Sequence, residues 1–130
     1  MERLVVAGEK RVLVVEDDHQ ARDLLALILE NAGYRVHAVS TPIEALEQMK
    51  RSQFEVVIID YHMPRLNGLE FMTISHIVWP QTPVVLVSGD QPELPTLAVL
   101  RGACAWIPKP YDHALLLRTI YAAAQQSMED

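Results

Sequence analysis

Short aliphatic runs alternate with amphipathic stretches along the whole chain. Five runs recur, at residues 12–15, 34–39, 56–59, 84–87 and 104–107. The first, third and fourth are unbroken and rich in Val and Ile, as strands are when both faces are covered. That pattern favours a parallel sheet buried between helices. The intervening segments carry helical periodicity. Leu24, Leu25, Ile28 and Leu29 make one apolar stripe, with Gly33 where a helix C-terminal glycine would stand. Thr41-Pro42-Ile43-Glu44 reads as a capping box with proline at the first helical position, opening a helix to about Arg51. A third helix starts near Gly68 and stops before Trp79-Pro80. Pro92 and Pro95 leave room only for a short fourth helix over residues 96–101. The last, with Asp112 as N-cap, runs from His113 to about Gln125. Strand and helix alternate five times, which predicts an α/β doubly wound domain with a five-stranded parallel sheet.

Polar residues fall at the ends of these runs. Glu16 and Asp17 follow the first, Asp60 the third, Ser88 the fourth and Lys109 the fifth. In an open parallel sheet all strand carboxyl ends share one edge, where ligands bind. Residues distant in sequence therefore converge on one pocket. Like-charged carboxylates at about 4 Å and an effective dielectric near 20 repel by about 4 kcal/mol per pair. Raised pKa values or a divalent cation relieve that cost, and hard oxygen ligands with positions left for water suit Mg²⁺. Such an ion also draws a phosphoryl group toward one of the acids, which makes an aspartate a candidate nucleophile. Ser88 and Lys109 are then placed to meet phosphoryl oxygens. Taken singly, each has a plainer reading: a helix cap, a turn, a loop lysine. Their joint placement at four strand ends carries the assignment.

At 130 residues the chain is one domain, and half of its residues are apolar. Its net charge of −6, with scattered basic residues, argues against direct nucleic-acid binding. No apolar run approaches a bilayer span, the start carries no secretory stretch, and the single cysteine, Cys104, fits a reducing compartment. These features predict a cytoplasmic protein without a membrane segment. No metal-ligand spacing links His19, His37, His76 and His113.

With those residues placed, the chain resembles a response-regulator receiver domain of two-component signalling. The motifs are VLVVEDD, IIDYHMPRLNG, VVLVSGD and GACAWIPKP, in that order over about residues 10–125. The resemblance implies a flavodoxin-like strand order 2-1-3-4-5 with helices on both faces. It divides the chain into an extension at 1–10, a receiver at 11–126 and a tail at 127–130. Asp60 would be phosphorylated by a phosphohistidine on a sensor histidine kinase or a histidine phosphotransfer protein. Asp17 and Asp60 would bind Mg²⁺ with the backbone carbonyl of His62, Glu16 acting through water, while Asp18 caps the first helix. Ser88 and Lys109 would contact phosphoryl oxygens, Gly89 would leave space, and Lys109-Pro110 would be cis. His62 and Asp90 would overhang and tune the group.

Such a chain catalyses only its own phosphorylation and dephosphorylation, and passes the signal to a downstream effector or output domain. Two departures stand out. Trp106 occupies the place of a switching Tyr or Phe, so switching and fixed packing both stay open. The proline-bearing stretch DQPELPTLAVLRGA predicts a face remodelled for a particular partner. Leu116, Leu117 and Ile120 form the buried stripe of the last helix, while Leu115 and Ala122 beside Arg118 suggest a homodimer or partner surface. Two rivals remain. An aspartyl-phosphate phosphatase needs a second acid where His62 stands. A degenerate receiver serving as a plain interaction module would lack part of the site.

Overall fold

The computed structural model describes residues 10–63, 66–89 and 105–128. Five strands, β1 (Arg11–Val15), β2 (Arg35–Val39), β3 (Val56–Asp60), β4 (Val84–Ser88) and β5 (Ala105–Pro108), form one parallel sheet ordered β2-β1-β3-β4-β5. Four described helices connect or follow them: α1 (His19–Asn31), α2 (Pro42–Arg51), α3 (Gly68–Val78) and α4 (His113–Met128). The expected short helix over residues 96–101 lies outside the described residues.

The unbroken aliphatic runs are explained by burial on both sides. Alternate residues of each central strand enter opposite cores. Leu13, Val15, Val57, Ile59 and Leu86 pack with Ala45 and Met49 of α2 and with Phe71 and Met72 of α3. Val12, Val14, Ile58, Val85 and Val87 pack with Leu25 and Leu29 of α1 and with Leu116 and Ile120 of α4. Each core residue of β1, β3 and β4 is thus held by a helix above or below, so the strand ends are rigid.

The helix boundaries follow local chemistry. The Asp18 carboxylate accepts from Ala21 N at 2.8 Å and caps α1. That helix ends in a Schellman turn: Gly33 N donates to Glu30 O and Tyr34 N to Leu29 O. Gly33 takes φ +103°, a conformation other residues rarely adopt. Thr41 caps α2 by accepting from Glu44 N, yet the expected capping box closes differently. The Glu44 carboxylate reaches past Thr41 to the amide and hydroxyl of Ser40, 3.0 and 3.1 Å away. Asn67 and Glu70 form the complete box, at the start of α3. Asp112 caps α4 through Ala114 N and Leu115 N. That helix continues to Met128, beyond the expected end, because no glycine or proline interrupts it.

One apolar expectation needs correction. Leu24 is 52% exposed, since Leu25 and Leu29 turn toward the sheet and carry Leu24 to the flank. In α4, Leu116 and Ile120 are buried as expected, Leu117 packs partly against them, and Ala122 faces solvent. Lys10 is buried at the start of β1 and its ammonium meets Gln125 Oε1 at 3.1 Å, joining the two ends of the described domain.

Candidate functional site

At the carboxyl edge of the sheet, Glu16 follows β1, Asp60 ends β3, Ser88 ends β4 and Lys109 follows β5. Parallel register puts Asp60 opposite Val87 and Ser88 opposite Pro108, so these ends stand side by side. Glu16, Asp17 and Asp60 each offer a carboxylate oxygen, all within 4.8 Å of one another. Glu16 and Asp60 are buried and Asp17 is exposed, so the cluster is closed at its base and open to solvent.

Lys109 holds the two buried acids. Its ammonium lies 3.1 Å from Asp60 Oδ2 and 3.2 Å from Glu16 Oε1. The backbone amide of Lys109 donates to the Ser88 carbonyl at 2.9 Å, and the Lys109-Pro110 peptide is cis. Backbone donors reach the second oxygen of each buried acid. Asp18 N reaches Glu16 Oε2 at 3.1 Å, and His62 N reaches Asp60 Oδ1 at 3.3 Å. The Arg22 guanidinium donates to the Glu16 carbonyl at 3.1 Å.

Charge and burial pull these groups in opposite directions. Burial pushes the Glu16 carboxyl above its usual range and the charge of Asp60 adds to that, while Asp18 N–H and Lys109 hold it back. Burial disfavours the Lys109 ammonium, but the hydrogen bond and charge of Asp60, joined by Glu16, outweigh it and raise its pKa. One cation shared between two acids is therefore firmly protonated, and Glu16 remains under-compensated.

The loop after Asp60 is pinned by helix α3. Gly68 N donates to the Tyr61 carbonyl at 3.1 Å. A Cβ on Gly68 would lie 2.8 Å from Leu86 Cδ1, 2.9 Å from Tyr61 Cα and 3.0 Å from Asp60 O. Only glycine lets the helix start approach this closely.

Ser88 is fully buried, and its hydroxyl has no hydrogen-bond partner among the described residues. A Cβ on the next residue, Gly89, would meet nothing within 4 Å among the described residues. Trp106 packs partly against the α2–α3 core, and its buried indole N–H also lacks a partner among the described residues. His62 is exposed, its ring edge-on to Tyr61 at 4.8 Å. Asp90 lies outside the described residues, as does the whole stretch expected to be remodelled.

Tyr111 joins the site's surroundings without any signal in the sequence pattern. It packs against the α1–α4 core, where burial pushes its phenol up to about 12, opposed by Lys109 and reinforced by Glu16 and Asp60. The contact of Arg22 with Glu16 is a second addition. Its signal is a basic residue in the first turns of the helix following the acids.

The sequence profile of the response regulator receiver domain matches residues 12–121. The chain belongs to that family. This receiver is 36% identical over 120 residues to the phosphoglycerate transport system transcriptional regulatory protein PgtA of Salmonella typhimurium, covering 91% of this chain and 29% of that protein. It is also 36% identical over 114 residues to the sensory/regulatory protein RpfC of Xanthomonas campestris, covering 83% of this chain and 16% of that one. The chain thus spans less than a third of either relative. Among solved structures, the response regulator receiver domain protein (CheY-like) from Methanospirillum hungatei superposes with a TM-score of 0.87 at 28% identity, covering 94% and 98% of the two chains. Response regulators and sensory kinases of two-component systems are accordingly this receiver's relatives. No helix among its described residues is long and apolar enough to cross a membrane.

Proposed function

We propose that this receiver accepts a phosphoryl group on Asp60 from the phosphohistidine of a sensor histidine kinase or histidine phosphotransfer protein, in the cytoplasm. The observation that carries the reading is the bridging ammonium of Lys109, 3.1 Å from Asp60 and 3.2 Å from Glu16, beside an exposed third acid, Asp17. A purely structural ion pair has no need of that third carboxylate.

The donor set fits a hard cation, and the Ser88 hydroxyl, without a partner among the described residues, fits a ligand with acceptor oxygens. Asp17 and Asp60, with the His62 carbonyl and Glu16 through water, would hold Mg²⁺, which when bound offsets the charge of the acids and of the incoming phosphoryl oxygens. An Asp60 oxygen attacks phosphorus; the O–P bond forms as the N–P bond breaks, and the imidazole leaves with that electron pair. Lys109 keeps Asp60 oriented and then neutralises a phosphoryl oxygen. Ser88 donates its hydroxyl proton to another, and Gly89 leaves the room for it.

The gained charge and the moved hydroxyl bias the packed surface seen by a downstream effector or output domain. The protein acts only on itself, catalysing its own phosphorylation and dephosphorylation. Incubation with acetyl phosphate and Mg²⁺ followed by intact mass tests this. A single phosphoryl adduct is expected on the wild type and none on Asp60→Asn. An adduct that survives the substitution overturns the site, and no adduct on the wild type favours a plain interaction module.

A further inference from the structure

At the opposite edge of the sheet a cavity of about 570 Å³ opens between the C-terminal ends of α2 and α3. Met49, Phe54, Val78 and Trp79 supply apolar wall, and Lys50 and Arg51 stand at the rim. Phe54 precedes β3, and the lining residue Thr82 precedes β4, so the groove lies at the amino-terminal end of the strands, away from Asp60.

The groove continues onto an uncovered helix face. Ile74, Ile77 and Val78 of α3 are 37%, 73% and 55% exposed. Their spacing of i, i+3 and i+4 makes one stripe, and Val78 belongs to both stripe and groove. Scattered single leucines need no explanation, but three aliphatic side chains running into a cavity make a contiguous apolar surface.

Charge selects the occupant. The chain carries a net charge of −6, yet among the described residues this groove is lined by two cations and no acid. Lys50 and Arg51 sit in the last turn of α2, where they complement the helix carbonyls. That role explains neither the exposed Ile77 nor the aromatic wall. A second copy of the chain brings the same net negative charge and is repelled as a whole.

We infer that this basal groove docks an amphipathic helix of a partner protein, apolar along one face and flanked by acidic residues. The helix lies along α3, covers Ile74 and Ile77, seats an apolar side chain against Trp79, and places its acids near Lys50 and Arg51. Docking leaves Asp60 open and does not depend on its phosphorylation.

The test uses the unphosphorylated chain and two designed helical peptides, one with leucines flanked by glutamates and a twin with lysines in place of the glutamates. Trp79 emission is followed in a Trp106→Phe background, and amide shifts locate the contact. The acidic peptide is expected to bind, more weakly as salt rises, with shifts on Met49, Phe54 and Trp79. Ile77→Gln, a change at an exposed position that leaves the melting temperature in place, is expected to weaken binding about tenfold, as for a central apolar contact. Lys50→Glu with Arg51→Glu is expected to reverse the preference toward the lysine twin. Equal binding of the two peptides, no binding at millimolar concentration, shifts mapping elsewhere, or self-association of the chain through Ile77 would each overturn the inference.

Discussion

Lys109 and Asp60 are joined at 3.1 Å across the ends of two strands that are not neighbours in the sheet. The lysine is anchored from behind, because its own amide donates to the Ser88 carbonyl on the strand between them. Removing it leaves Glu16 and Asp60 buried without a counter-charge. Loss of one partner of a buried pair costs about 3–5 kcal/mol, and the 30% exposure of this side chain argues for less. Lys109→Ala is therefore expected to lower the metal-free stability by about 2 kcal/mol in urea unfolding and to slow adduct formation with acetyl phosphate at least tenfold, a loss of about 1.4 kcal/mol in the barrier. Unchanged adduct formation would remove Lys109 from the site.

Magnesium should act on stability through the same cluster. An ion that binds only the folded state stabilises it by about 2.7 kcal/mol at a hundredfold excess over its Kd, and so raises the melting temperature as its concentration grows. Asp60→Asn removes one charge from three crowded carboxylates, so the metal-free variant is expected to melt above the wild type. Its response to Mg²⁺ should be blunted. Thermal scans across a magnesium series check both, and equal shifts in the two proteins would count against a cation between residues 17 and 60.

Much of this arrangement is legible in the chain. Runs such as Val56 to Ile59 are apolar at every position because both faces are covered, and that needs no tertiary knowledge to read. Once the sheet is parallel, Asp60, Ser88 and Lys109 must share an edge. What stays hidden depends on how helices settle on the sheet. Leu24 belongs to the same periodic stripe as Leu25, and only the rotation of α1 decides which is buried. The packing of Tyr111 depends on the turn that follows β5. The basal groove joins residues 49–54 to 78–82, a contact that no local pattern announces. The Asn67 box differs from these, since Asn-x-x-Glu is a local signal that stands in plain sight beside the phospho-acceptor loop.

Gly68 offers a test in which two effects oppose one another. Alanine is the better helix former by about 1 kcal/mol, so Gly68→Ala at the first helical position should stabilise if space allowed. Space does not allow it. The added Cβ would fall 2.9 Å from Tyr61 Cα and 3.0 Å from Asp60 O, and backbone cannot rotate aside as a flexible side chain can. Overpacking of this kind costs about 1–3 kcal/mol, which exceeds the propensity gain. The variant is expected to be less stable than the wild type and, because Asp60 itself must shift, slower to form the phosphoryl adduct. A stability gain in thermal melts would show that α3 can move away from Asp60 freely.

The phenol of Tyr111 gives a pH-dependent signature. Burial lifts its pKa to about 12, against an ordinary value of 10.0. Because the folded value is the higher one, the contribution to stability is present below the unfolded pKa and is lost as pH rises through about 12. Between those values the unfolded chain releases a proton that the native chain retains, so alkali favours unfolding by up to about 1.4 kcal/mol per pH unit from this residue. Tyr111→Phe lacks that proton. Its stability relative to the wild type is therefore expected to climb between about pH 10 and 12 and to be flat below that window. The late step in a phenolate absorbance titration should vanish in the same variant. If that step remains, or if the two proteins lose stability in parallel, the phenol is solvated and does not lie buried among the charges of Lys109, Glu16 and Asp60.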